Sequence, residues 1–310
     1  FERAKECLDT GKTCQVTGCA DSQLAHFITG LSDGYKNKVI VTFSGTKAKE
    51  LYEDLKAFDK NVVLYPAKDF IFFSADVHGN VILQQRLECI KKLVEDKPCT
   101  IVTTADGLMD KIMPLDRIKE NVLEISEGSI IEMDAIRHKL VQMGYEGAEQ
   151  VESPGQFAIR GSIIDIYTLT DEVPYRIDMW DDEVDIIKSF EVETQRSIID
   201  TQTDITELEN LEKITIYPAT DYVLTKEEIR AGIDKIKKDL KKNSEALRKQ
   251  FKTEEAHRLE VIIKEFIDNE EINENGMSFD SYVNYFYDGM VSFIDYLKDA
   301  AFFIDEPKRV

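Results

Sequence analysis

The stretch Gln156-Phe157-Ala158-Ile159-Arg160-Gly161-Ser162-Ile163-Ile164-Asp165-Ile166-Tyr167 reads as two short strands, Gln156–Arg160 and Ser162–Tyr167. Two further strands follow at close spacing, Pro174–Trp180 and Asp185–Glu191, separated by Asp-rich turns. On the other side, Val122–Ile125 reads as a strand and Met133–Met143 as a helix stopped by Gly144, a residue suited to a helix C-terminus. Strands this short and this closely spaced predict a small antiparallel α+β domain.

Residues 1–113 have a different rhythm. Val39–Phe43, Asn61–Tyr65 and Thr100–Thr104 read as buried strands, with helices over Thr46–Phe58 and Val81–Val94 between them. Strands alternating with helices of this length predict βαβ units around a mostly parallel sheet. From Ile214–Tyr217 the pattern is α/β again. A helix over 226–252 carries Ile229, Ile233, Ile236 and Leu240 on one face, and a second carries Leu259, Ile262, Ile263 and Phe266. An aromatic-rich helical segment is expected over Tyr282–Leu297, and the apolar run Ala301–Ile304 leads into Asp305-Glu306.

Composition narrows the function. The chain has 310 residues, 43 % of them hydrophobic, and 60 carboxylates against 39 Lys and Arg, a formal charge of −21. That much apolar material excludes a disordered acidic chain. The charge argues against a protein whose main task is gripping nucleic acid, which needs clustered Lys and Arg. It is unevenly spread: residues 161–210 hold 14 acids and 3 bases (−11), whereas 226–252 hold ten bases and five acids (+5). The basic helix could touch an anionic partner or be an ordinary solvated surface. No apolar run reaches the roughly 18–20 residues of a membrane helix, and no signal peptide is visible. The absent initial Met leads us to expect a piece of a longer polypeptide. Cys7, Cys14, Cys19, Cys89 and Cys99 form no CxxC pair, so reduced thiols in a cytoplasmic protein are expected. The four histidines are scattered, and no metal site is expected.

Three motifs could carry chemistry. Val16–Ala25 has the placement of a phosphate-binding loop, which needs Gly-x4-Gly-Lys-Ser/Thr between strand and helix. Gly18 fits, but Gln23, Leu24 and Ala25 replace the second Gly, the Lys and the hydroxyl. The other reading is an ordinary strand–helix turn. Asp305-Glu306 ends an apolar strand as a Mg²⁺-binding acid pair would, or is simply a solvated strand end. Asp181-Asp182-Glu183 with Asp185 lacks the spacing of a calcium loop and reads as a hairpin turn. A fourth feature concerns binding. Arg176, Asp178 and Trp180 share one strand face, near Arg160. Arg and Trp dominate interface hot spots, although a local ion pair and a half-buried Trp would give the same pattern.

The block Pro154–Ile166, continued by Pro174-Tyr175-Arg176-Ile177-Asp178, Asp182-Glu183-Val184-Asp185 and Thr194-Gln195-Arg196-Ser197, resembles a known family. It is similar to the N-terminal UvrB-homology module of bacterial transcription-repair coupling factors (Mfd), and the resemblance extends over essentially the whole chain. The excinuclease subunit UvrB shares a weaker form of the pattern, but with an intact phosphate loop, a long aromatic β-hairpin and an Asp-Glu-Ser-His motif. Here Gln23-Leu24-Ala25 stand in the loop, Pro66–Val81 is too short for such a hairpin, and the acidic motif runs Asp305-Glu306-Pro307-Lys308.

The resemblance implies a degenerate P-loop NTPase-like parallel-sheet lobe (1–115), an inserted α+β domain (116–208) that docks UvrA, and an α/helical part (209–310) whose final strand returns to the first lobe. It implies a module without catalysis or cofactor. Arg160, Arg176 and Trp180 match the family's UvrA-contacting positions; Gly18, Gln23, Leu24, Ala25, Asp305 and Glu306 would be remnants of nucleotide chemistry. The RNA-polymerase-binding and ATP-driven translocase domains of such proteins would lie elsewhere in the polypeptide. No direct contact of this module with nucleic acid is expected. The alternative is a fragment of a UvrB-like, ATP-dependent enzyme acting on damaged DNA.

Overall fold

The structure, a computed structural model, describes residues 1–19, 21–68, 76–196, 210–272 and 282–310. The part of Pro66–Val81 that would decide the hairpin question, 69–75, and Ser197 of the Thr194–Ser197 block lie outside the described residues. In chain order the elements are α1 (Glu2–Asp9), α2 (Asp21–Leu31), β1 (Asn37–Thr42), α3 (Gly45–Lys56), β2 (Val62–Tyr65), α4 (Asp76–Val94), β3 (Cys99–Thr104), α5 (Ala105–Met109) and β4 (Lys111–Ile112). Next come α6 (Leu115–Lys119), β5 (Leu123–Ser126), α7 (Met133–Gln142), β6 (Glu146–Gly147), β7 (Gln156–Arg160), β8 (Ile163–Ile166), β9 (Tyr175–Trp180) and β10 (Glu183–Ser189). The chain finishes with β11 (Lys213–Ile216), α8 (Lys226–Lys249), α9 (Thr253–Ile272), α10 (Val283–Phe286), β12 (Val291–Ser292), a 3-10 turn (Phe293–Tyr296) and β13 (Ala301–Ile304). It divides into two compact units, 1–115 with 291–310, and 116–290.

The first unit holds a four-stranded sheet in the order β13-β1-β3-β2, with every pairing parallel. All six residues of β3 and all four of β2 are buried. Such apolar strands are stable only when both faces of a parallel sheet are covered. On one face Ala25 and Ile28 of α2 and Ala48, Leu51 and Leu55 of α3 pack against Ile40, Val62, Leu64 and Val102. Ser44 caps α3, its hydroxyl accepting from the Lys47 amide. Near the start of the sheet, Asp59 accepts from the Thr100 hydroxyl (2.6 Å), the Asn61 amide (2.8 Å) and Lys38.

In the second unit β5 pairs with β11, and β10-β9-β8-β7-β6 form a five-stranded sheet, antiparallel except where β6 runs parallel to β7. One face of the larger sheet is apolar and buried: Phe157, Ile164, Ile166, Ile177, Met179 and Ile187. The opposite face is polar and covered only in part: Ala158 packs with Val151 and Phe190, whereas Trp180 and Glu183 are exposed.

α8 begins with a capping box in which the Thr225 hydroxyl accepts from the Glu228 amide while the Glu228 carboxylate accepts from the Thr225 amide. It ends in a Schellman motif: the Lys252 amide bonds the Leu247 carbonyl and the Phe251 amide bonds that of Arg248. The left-handed position of that motif usually belongs to glycine; here Phe251 occupies it at φ 62°, its side chain fully in solvent. The expected helix over Tyr282–Leu297 does not form as one piece. The segment divides into the single turn of α10, the short strand β12 and the 3-10 turn. Its aromatics serve two cores: Phe286 packs with Phe266 in the second unit, whereas Phe293 stacks on Tyr65 in the first.

Candidate docking surface

Register alone builds a polar face on the five-stranded sheet. Arg176 stands opposite Asp165 of β8 and Lys188 of β10; Ala158 of β7 is opposite Asp165. One step along, Asp178 stands between Ile163 and Ile186, with Arg160 beyond Ile163. At the end of β9, Trp180 pairs with Glu183 across a two-residue turn whose first residue, Asp181, is left-handed at φ 59°. Because directly opposed residues point to the same side of a sheet, the three residues selected from the sequence do share one face.

Their roles differ. Asp165 is wholly buried, and Arg176 clamps it with both arms of its fork, Nε to Oδ1 at 2.7 Å and Nη2 to Oδ2 at 2.8 Å. Arg160 donates to the same Oδ2. A buried carboxylate survives only when it is paired and hydrogen-bonded, and two guanidiniums supply that here. Arg176 also donates to the Gln195 carbonyl (2.9 Å), and its guanidinium lies over the Phe190 ring at 4.4 Å. Its hydrogen bond to Asp165 raises its pKa further. With the Arg176 side chain only 13 % exposed, its fork is directed inward to the sheet rather than outward as a free donor.

Arg160 is 41 % exposed, and Trp180 is 78 % exposed at the hairpin tip. The arrangement is a braced platform: Asp165 and Arg176 fix the strands, while Arg160 and Trp180 present an outward cation and an outward aromatic. The sequence reading missed Asp165 and Gln195. Asp165 had a signal, a lone acid within the apolar run Ile163–Ile166. Gln195 had little, since it is held by its own left-handed turn at φ 57° and by donation to the Val192 and Val151 carbonyls.

The residues of the nucleotide-loop motif lie elsewhere. Lys12–Cys19 carry neither helix nor strand, so the strand that a phosphate loop requires does not precede α2. Gly18 is left-handed at φ 87°. Gln23, Leu24 and Ala25 all lie inside α2; Gln23 is exposed, while Leu24 and Ala25 pack into the sheet core. Asp305 extends the last strand, its amide bonding the Val41 carbonyl at 2.9 Å, and Glu306 begins a turn at φ 53°. Among the described residues no three His, Cys, Asp or Glu side chains are grouped to hold a metal, and no helix is long and apolar enough to cross a membrane.

The segment that holds β5 to β11 resembles a known domain. Residues 123–222 match the family described as UvrB interaction domain. Over 299 residues the chain is 30 % identical to the transcription-repair-coupling factor of Bacillus subtilis, an alignment covering 95 % of this chain and 24 % of that protein. Over 300 residues it is 29 % identical to the transcription-repair-coupling factor of Staphylococcus epidermidis, and over 302 residues 28 % identical to that of Staphylococcus aureus, with the same coverage. The chain thus spans about a quarter of the length of these curated relatives.

Proposed function

We propose, on the premise that this chain is homologous to the transcription-repair-coupling factors and carries a UvrB interaction domain, that it is a non-catalytic module that recruits UvrA. The observation that carries the reading is the exposed Trp180, which shares a braced sheet face with Arg160 inside the matched segment. An exposed aromatic and a half-exposed arginine on one face supply the large contact area and directional bonding of interface anchors, and the buried Arg176–Asp165 fork keeps both on a rigid surface.

In this role the module acts by position. The rest of the polypeptide engages a stalled RNA polymerase and moves along DNA, and this segment presents UvrA with its docking face, so that excision repair begins where transcription stopped. The module needs no nucleotide, no metal and no direct contact with nucleic acid, and its place is the cytoplasm. Leu24 and Ala25 support the absence of ATP chemistry, since core packing employs the positions where a Lys and a hydroxyl would be needed.

Titration calorimetry of purified UvrA into the purified chain tests the proposal. Saturable binding is expected, whereas ATP·Mg²⁺ should give no heat and no turnover. An inert UvrA titration would overturn the docking reading; ATP turnover would put a UvrB-like enzyme in its place.

A further inference from the structure

We infer that the strap Gly128–Ile131 is part of the same docking face, and that Ile130 is its second apolar anchor, set beside Trp180 with Glu183 between them. The inference rests on the docking reading above and deepens it. The strap follows β5 and lies along the outer edge of β10. The Val184 amide donates to the Ser129 carbonyl at 2.9 Å, the Ile131 amide to the Asp182 carbonyl at 2.7 Å, and the Gly128 amide to the Val184 carbonyl at 2.8 Å. Ile130 and Glu183 are therefore a non-hydrogen-bonded antiparallel pair, the kind in which side chains stand closest and on one side. Glu183 is in turn opposite Trp180. The row Ile130–Glu183–Trp180 crosses three strands and continues the face formed by Arg160, Asp165 and Arg176.

A single exposed isoleucine is ordinary on a protein surface. Ile130 differs in where and how it is held. It is 65 % exposed, and its backbone is fixed in register with the most exposed aromatic of the platform. The turn before it is tied down: the Ser126 amide donates to the Ser129 hydroxyl at 3.2 Å, that hydroxyl donates to the Ser126 carbonyl, and Gly128 takes the left-handed conformation at φ 75°. Little conformational entropy remains to be lost when such a surface binds.

The row also fixes the chemistry of what covers it. Trp180 and Ile130 stand about 10 Å apart, two strand spacings. Around them Asp181, Asp182, Glu183 and Asp185 are all exposed. The complementary surface on UvrA is therefore an apolar socket wide enough for both side chains and rimmed by Lys or Arg, with a carboxylate set apart to meet Arg160. Opposite charges arranged this way select the partner and its orientation.

Calorimetry with UvrA and single variants tests this. Ile130→Ala should weaken binding about tenfold, with the circular dichroism and urea midpoint of the wild type. Val261→Ala, which removes an exposed apolar side chain from α9, should bind as wild type. Unchanged binding by Ile130→Ala beside weakened binding by Trp180→Ala would overturn the inference and leave the docking reading standing. Unchanged binding by both Trp180→Ala and Arg160→Ala would overturn the reading itself. A photo-crosslinking amino acid gives a second measurement: placed at position 130 it should capture UvrA, and placed at 261 it should not. Capture from 180 but not from 130 would also remove Ile130 from the interface.

Discussion

Arg176 and Asp165 face each other on adjacent strands and are joined by two parallel hydrogen bonds of 2.7 and 2.8 Å, with the carboxylate wholly buried. This pair sets the first expectation. Arg176→Ala removes two donors from a buried carboxylate, and breaking a buried pair from one side costs about 3–5 kcal/mol. Arg160 still reaches Asp165, so a loss near the lower end is expected, read from urea unfolding. Arg176→Lys should recover only part of it, since an ammonium cannot bridge both oxygens. UvrA binding should fall with the platform. If Arg176→Ala kept wild-type stability and lost binding alone, Arg176 would be a direct contact instead of a brace.

Trp180 predicts the opposite signature. At 78 % exposure its side chain contributes little to the fold, so Trp180→Ala should shift stability by no more than about 0.5 kcal/mol. UvrA affinity should drop by about 1–3 kcal/mol, the range of interface anchors. A large stability loss would mean that the ring packs within its own unit.

Phe251 offers a substitution that stabilises. A side chain in the left-handed region costs about 1–2 kcal/mol that glycine does not incur, and Phe251 is exposed with no burial to offset it. Phe251→Gly completes the Schellman motif with its preferred residue. After glycine's greater unfolded-state entropy is counted, a gain of about 0.5–1 kcal/mol is expected, seen as a higher urea midpoint for the second unit. A lower midpoint would contradict the account of the α8 end.

Asp59 predicts an acid dependence in the first unit. Burial would push its carboxyl up, but hydrogen bonds from Thr100 and the Asn61 amide, with the charge of Lys38, outweigh it and hold the pKa below the usual carboxylate range. A depressed folded-state pKa means that the unfolded chain binds the proton first. The stability it contributes is therefore full above the ordinary Asp pKa and disappears as pH falls through the lower, folded value. Asp59→Asn should be less stable than wild type at pH 6, and the gap should close as pH falls below the ordinary Asp value. A gap independent of pH would remove the carboxylate charge from the explanation.

Much of this architecture was legible in the residues. The apolar runs at Val39–Phe43 and Thr100–Thr104 are satisfied by a sheet covered on both sides, and the short, closely spaced strands around Gly161 by an antiparallel sheet. The aromatic segment Tyr282–Leu297 was misread because an aromatic run records that rings are buried, not in which core. Here it divides between the two units, and Gly289 falls in the break. The candidate face was legible as a row of residue types but not as side-chain geometry. That Arg176 turns inward follows from its register opposite Asp165, which depends on strand pairing and not on composition. Ile130 escaped notice for a related reason. Its strap, Gly128-Ser129-Ile130-Ile131, is too short to announce itself as a strand, and only the hydrogen bonds to Asp182 and Val184 place it on the face.

The position of β13 has a consequence for how the protein is made. Residues 301–304 pair with β1, at the opposite end of the sequence. On a ribosome adding about 5–20 residues each second, β1 emerges and waits roughly 13–50 s before its last neighbour is synthesised. During that interval the intervening unit, 116–290, is fully translated. The five-stranded sheet can thus finish folding on the nascent chain while β1 still has an open edge, which leaves the first unit as the part of this protein that a chaperone would need to guard.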